Sequence, residues 1–155
     1  MLKIKDKAPE FSIPDQKGEL ITLKDFNGKW VVLYFYPKDD TPGCTMEAIE
    51  FTTLKQEFKR LNTEVLGVSK DSQKSHCSFI KKQDLKLILL SDEEKILAQA
   101  YGAWGKKKFM GREYMGMNRT TYLINPKGKL AFIWENVKAK GHAQIVLKKV
   151  KELQL

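Results

Sequence analysis

Two cysteines, Cys44 and Cys77, are the only thiols in this chain of 155 residues. Cys44 stands in the stretch Tyr34-Phe35-Tyr36-Pro37-Lys38-Asp39-Asp40-Thr41-Pro42-Gly43-Cys44-Thr45-Met46-Glu47, where an aromatic, strand-like run is broken by Pro37, Pro42 and Gly43 before a helical pattern begins. That context predicts a cysteine in the first turn of a helix. Amides there have no intrahelical acceptor, and the positive end of the helix dipole is close. Both favour thiolate, the nucleophilic form of cysteine. The alternative is a small buried hydrophobe, the common fate of a free cysteine. A Cys-x-x-Cys redox motif is absent because position 41 is Thr. The Thr41 hydroxyl, three residues before the sulfur, can exchange a hydrogen bond with a group held beside the thiolate. Pro37 and Pro42 restrict the incoming loop and favour a preorganised pocket.

Other chemistries find little support. Two cysteines are too few for a disulfide-dense scaffold or a four-cysteine zinc site. His76 lies beside Cys77, but no carboxylate pair stands at ligand spacing, and His76 and His142 each fall near a predicted helix start, where capping or exposure is expected. No glycine-rich phosphate loop follows a strand, so no nucleotide, metal or prosthetic group is expected.

The elements that must position Cys44 follow from hydrophobic patterning. Lys29–Tyr36 reads as a strand buried on both faces. A helix is predicted from about Cys44 to Leu61, with Phe51, Leu54, Phe58 and Leu61 as its buried stripe. Glu64–Ser69 is the next strand, Ser72 caps a helix running toward Gln83, Leu87–Leu90 is a short buried strand, and 92–101 looks helical. The segment 102–118 carries four glycines and three consecutive lysines interleaved with Trp104, Phe109, Met110, Tyr114, Met115 and Met117. It reads as a long loop whose aromatic residues pack against the domain. Arg119–Ile124 and Lys129–Trp134 form a hairpin around Asn125-Pro126-Lys127-Gly128. Gly141–Leu153 is a closing helix with Val146, Val150 and Leu153 on one face, and Phe11–Ile13 with Leu20–Leu23 makes an N-terminal β-hairpin around Gly18. This order predicts a single α/β domain over residues 1–155 with a thioredoxin-like fold, a central mixed sheet flanked by helices.

Pro37-x-x-x-Thr41-x-x-Cys44 matches the P-x-x-x-T/S-x-x-C signature of the peroxiredoxins, and the longer string Tyr34 to Thr45 resembles the bacterioferritin comigratory protein, or PrxQ, subfamily. Ala8-Pro9-Glu10-Phe11, Gly67-Val68-Ser69-Lys70-Asp71-Ser72, Lys74-Ser75-His76, Arg119-Thr120-Thr121-Tyr122-Leu123-Ile124 and Val137-Lys138-Ala139-Lys140-Gly141-His142 extend the likeness along nearly the whole chain. The resemblance implies a thiol peroxidase. Cys44 would attack hydrogen peroxide or an organic hydroperoxide and become a sulfenic acid. Thr41 would orient the peroxide, Arg119 would stabilise the thiolate and the developing oxyanion, Pro37 would shield the site from water, and Glu47 would position Arg119. Without the resemblance, Arg119 reads as a surface arginine and Glu47 as a solvated first-turn acid.

The sulfenic acid must be reduced, and here the family pattern is departed from. Many relatives carry a resolving cysteine five residues after the first, where this chain has Ile49. Others carry one on the next helix, at a position that aligns with Ile80, one turn after Cys77. Three routes stay open: Cys77 resolves Cys44 within the chain, Cys77 is inert and an external thiol acts, or a disulfide forms between chains. Thioredoxin is the reductant that the resemblance implies.

The chain has 28 basic and 19 acidic residues, a net charge of +9. The first 104 residues balance at 16 of each sign, and the last 51 hold 12 basic and 3 acidic residues. Such a segment suits solvated lysines or an acidic partner. No helix-turn-helix, zinc-finger or RNP-type motif accompanies it, so nucleic acid is not expected. The rival functions are a thiol-disulfide oxidoreductase, which the missing Cys-x-x-Cys disfavours, and a basic module binding nucleic acid or an acidic protein. Hydrophobic residues at 42 % exclude disorder. The longest apolar run, Trp30–Tyr36, is too short to span a bilayer, and the N-terminus has no apolar signal core, so a cytoplasmic location is expected; the expected oligomeric state is a monomer.

Overall fold

A computed structural model describes all residues 1–155. The chain opens with a short antiparallel hairpin, β1 (Ser12–Pro14) and β2 (Leu20–Thr22), followed by a 3-10 turn, Leu23–Phe26. The central strand β3 (Trp30–Phe35) pairs parallel with β4 (Thr63–Ser69) and antiparallel with β8 (Thr120–Ile124). β5 (Ile88–Ser91) and β9 (Leu130–Trp134) are the edges of this five-stranded mixed sheet, ordered β5-β4-β3-β8-β9. The predicted mixed sheet flanked by helices is therefore present.

The period of two along β3 divides the core between the sheet faces. Val32, Tyr34 and Tyr36 face α1 (Pro42–Thr53), α2 (Lys55–Arg60), α3 (Gln73–Gln83) and α5 (His142–Leu153). Val31, Leu33 and Phe35 face Phe11, Leu23 and α4 (Ile96–Tyr101). Cys44 belongs to the first of these clusters.

Several local expectations need correction. The helix predicted over 44–61 is two helices, with a break at Leu54. Thr53 Oγ1 donates back to the Ile49 carbonyl at 2.9 Å, a side-chain bond that competes with the helical ladder. Phe51, Leu54 and Phe58 are buried as predicted. α4 starts at Ile96, not Asp92, because the buried Asp92 carboxylate stays outside the helix and accepts from the amides of Leu97 and Ala98 at 3.1 and 2.8 Å. On α5, Val146 and Val150 are buried but Leu153 is exposed.

The largest difference concerns 102–118. It is a second hairpin, β6 (Trp104–Phe109) paired antiparallel with β7 (Arg112–Met117), forming a sheet of its own. Met110 and Gly111, with φ of 51° and 79°, make the two-residue turn that suits the strand twist. Met-Gly is not the usual Asn-Gly or Asp-Gly pair, and the lysine run hides the alternation. Trp104 and Met117 pack inward, but Phe109, Met110, Tyr114 and Met115 are exposed, contrary to expectation. No helix is long and apolar enough to cross a membrane.

Candidate active site

β3 ends at Phe35, and the chain turns from Tyr36 through Pro37 to Thr41 into α1. Pro37 is half-buried. Thr41 is the N-cap and Pro42 the first helical residue, which puts Cys44 in the first turn as predicted. The Thr41 hydroxyl makes no cap bond and instead donates to the Lys38 carbonyl at 2.9 Å. Its lone pairs and the Gly43 and Cys44 amides, which have no acceptor within the helix, are thus left for a ligand. Cys44 is buried.

Arg119 immediately precedes β8 and reaches back to α1. Its Nη1 donates to Glu47 Oε1 at 2.7 Å and its Nη2 to Cys44 Sγ at 3.4 Å. Cys44 and Glu47 are three residues apart on one helix face, so a single planar guanidinium spans both. Burial works against the charge of Arg119, but the Glu47 carboxylate and Cys44 outweigh it and hold the guanidinium above its ordinary pKa. Gly43 gives this side chain room: a Cβ there would lie 3.2 Å from Arg119 Nη2. The sequence marks Gly43 only as a break in regular structure, and no motif spacing ties it to Arg119.

Glu47 is fully buried, and its Oε2 has no hydrogen-bond partner. Burial pushes its carboxyl up to about 7 from the ordinary 4.5, against the opposing pull of Arg119. The folded protein therefore holds the Glu47 proton more tightly than the unfolded chain does. This favours folding fully below pH 4.5 and is lost as the pH rises toward about 7. Glu47→Gln removes the titration and keeps an acceptor for Arg119. Its stability relative to the unmodified protein should rise steadily between pH 5 and 7 in paired denaturant titrations. A constant difference across that range would contradict the assignment.

His142 and His76 are neither caps nor exposed. His142 is buried with Nε2 2.8 Å from Thr121 Oγ1, and burial together with Arg119 pushes its pKa down to about 4. His76 is fully buried, with Nδ1 2.7 Å from Asp39 Oδ2 and Nε2 2.9 Å from the Leu90 carbonyl. Asp39 also accepts from the Tyr36 hydroxyl at 2.6 Å and from Ser75 Oγ at 2.8 Å. Asp71 Oδ2, part of the same group, accepts from Ser69 Oγ and the Asp39 amide at 2.6 and 2.8 Å. This closed network ties the loop ahead of Cys44 to the start of α3, which carries Cys77. Neither hydrophobic patterning nor motif spacing marks this network. Cys77 itself is half-exposed, and both cysteines are free thiols.

The AhpC/TSA family profile matches residues 4–133. This chain is a peroxiredoxin of the AhpC/TSA family. Peroxiredoxin Bcp of Bacillus subtilis is 43 % identical over 152 residues, covering 98 % of this chain and 97 % of that protein. Peroxiredoxin Bcp of Escherichia coli K12 is 42 % identical over 151 residues, covering 97 % of each chain. A cysteine-to-serine mutant of Xylella fastidiosa PrxQ superimposes with a TM-score of 0.95 at 38 % identity, covering 100 % of this chain and 99 % of its own. The bacterioferritin comigratory protein of Xanthomonas campestris gives 0.89 at 38 % identity, covering 94 % and 92 %. The fold is thus that of thioredoxin-fold peroxiredoxins, and the peroxiredoxin is a thiol-dependent peroxidase, acting on peroxide at the expense of a thiol reductant.

Proposed function

We propose that residues 1–155 work as one domain and as a monomer in which Cys44 is the peroxidatic thiolate. The observation that supports this most directly is the Arg119 guanidinium 3.4 Å from Cys44 Sγ in the first turn of α1. The sulfur attacks the terminal oxygen of a hydroperoxide. An S–O bond forms, the O–O bond breaks, and the sulfur becomes sulfenic acid as the peroxide is reduced to water or an alcohol. Arg119 steadies the charge that moves from sulfur to the leaving oxygen, Thr41 orients the peroxide through its free lone pairs, Glu47 positions Arg119, and Pro37 limits water. Hydrogen peroxide and organic hydroperoxides are the substrates. The Xanthomonas campestris relative has alkyl peroxide reduction activity, which favours the organic class.

Cys44 is buried within a helical turn, so its sulfenic acid meets a second thiol only when that turn opens. Cys77 is the resolving thiol in this reading, and thioredoxin or another thiol reductant acting in the cytoplasm reopens the disulfide. Non-reducing mass spectrometry after one equivalent of peroxide tests both assignments. A Cys44–Cys77 linkage within one monomer is expected. Sulfenic acid persisting on Cys44 beside untouched Cys77 would assign resolution to an external thiol. Oxidation elsewhere with Cys44 unmodified would overturn the reading.

A further inference from the structure

The centre of the site holds two acids with one cation between them. Arg119 Nη1 donates to Glu47 Oε1 at 2.7 Å and Nη2 to Cys44 Sγ at 3.4 Å. Cys44 and Glu47 are both buried, and the second carboxyl oxygen of Glu47, Oε2, has no hydrogen-bond partner. A buried anion needs a counter-charge and partners for its lone pairs. With Cys44 as thiolate, an ionised Glu47 would set two negative charges on one guanidinium and leave Oε2 bare in the core.

The other groups facing this unit do not relieve it. Glu50, on the same helix, accepts from the Gly141 amide at 2.9 Å and adds negative charge. Tyr34 from β3 is held neutral by burial, and its hydroxyl is also unpartnered. His142 from α5, pushed down to about 4, is neutral at pH 7 and lies 2.8 Å from Thr121 Oγ1. Lys107 from β6 is the half-buried member of the run 106–108, but its Nζ donates to the Met117 carbonyl at 2.9 Å and to neither acid. Arg119 is thus the one cation that both acids contact. The Glu47 carboxyl, raised by burial to about 7, fits this shortage of positive charge.

We propose that Cys44 and Glu47 share a single proton across Arg119: Glu47 holds it while Cys44 is the attacking thiolate and gives it up once the sulfur is oxidised. This rests on Cys44 being the peroxidatic thiolate. In the oxidation step the sulfur supplies the electron pair, an S–O bond forms and the O–O bond breaks, leaving Cys44 as sulfenic acid and releasing hydroxide or alkoxide. The sulfur is then neutral, Arg119 keeps Glu47 as its only anionic partner, and the carboxyl ionises. The proton it releases balances the one that the leaving oxygen takes up to become water or alcohol. The three side chains therefore sum to zero charge before and after oxidation. Glu47 acts through Arg119, as a positioning residue that also stores a proton.

Proton counting separates storage from orientation. In a weakly buffered single turnover at about pH 6, below the Glu47 value of about 7, an indicator dye should record almost no proton uptake per Cys44 oxidised by hydrogen peroxide. Glu47→Gln keeps an acceptor for Arg119 but stores no proton, and should take up about one proton per sulfur oxidised. A second measurement needs no turnover. The infrared carboxyl stretch that Glu47→Gln removes should titrate about one pH unit or more lower in Cys44→Ser than in the reduced unmodified protein, because serine leaves Arg119 to Glu47 alone. A residue that only orients Arg119 moves neither readout. Equal proton uptake in the unmodified and Glu47→Gln proteins, or the same Glu47 titration with and without the Cys44 sulfur, would overturn the proposal. Failure of the underlying reading looks different: Cys44→Ser would then consume peroxide as the unmodified protein does.

Discussion

Cys44→Ser is expected to lose peroxide consumption altogether, whereas Arg119→Met keeps the thiol and slows its oxidation by about 10²- to 10³-fold, the usual cost of removing one donor from a developing oxyanion. The physical difference is plain. Serine cannot supply the polarizable anion that attacks the O–O bond. Methionine leaves the sulfur in place but removes the fixed cation 3.4 Å from it. The same change strips Glu47 of its partner at 2.7 Å, and a buried carboxyl so exposed to an apolar environment takes up a proton. The Arg119→Met protein therefore remains folded at neutral pH and is slow, not absent. Stopped-flow rates with hydrogen peroxide, beside circular dichroism of each variant, check this. A rate within threefold of the unmodified protein would remove Arg119 from the chemistry.

His76→Leu should lower stability by about 3–5 kcal/mol, the cost of removing one partner from a buried, hydrogen-bonded network. For a protein of this size that is a fall in Tm on the order of 10 °C. The Leu90 carbonyl accepts only, so His76 Nε2 carries a proton, and Nδ1 stands 2.7 Å from Asp39 Oδ2. Leucine leaves the Leu90 carbonyl without its donor and the Asp39 carboxylate without its 2.7 Å partner, inside the core. Asp39→Ala combined with His76→Leu should cost less than the sum of the two single changes, because neither group of the pair is then left without its partner. Thermal unfolding of the four proteins measures this coupling, and additive losses would show that the pair is not energetically linked. The network joins the loop ahead of Cys44 to the helix that carries Cys77, so its loosening should also show as faster amide exchange across 38–41 and 72–77.

Which features were legible beforehand follows from the range of the interactions that create them. The Cys44 turn was readable because its causes are local: a β-branched strand, two prolines, a glycine and a helix start within 15 residues. The same holds for β3, β4, the Ser72 cap, where Ser72 Oγ accepts from the Ser75 amide at 3.1 Å, and the β8–β9 hairpin, where Asn125 Oδ1 accepts from the Lys127 and Lys129 amides at 3.0 Å. Resemblance, not spacing, pointed to Arg119, which lies 75 positions from Cys44. The hairpin at 104–117 is not legible in the sequence because its turn is Met-Gly and its strands are rich in lysine, which binary patterning reads as solvated loop.

By itself the sequence determined the α/β layering, the placement of a cysteine at a helix start and, through its motif, the peroxiredoxin chemistry. Only the tertiary structure decided that one guanidinium spans Cys44 and Glu47, that His76 and Asp39 close a buried network, and that Lys107 alone among three lysines turns inward. The first two outcomes depend on burial and on contacts across 37 to 75 positions, and the third on a contact across 10. The same carboxylate, imidazole or guanidinium is unremarkable in water and acquires its role when the fold removes the water and supplies the partner.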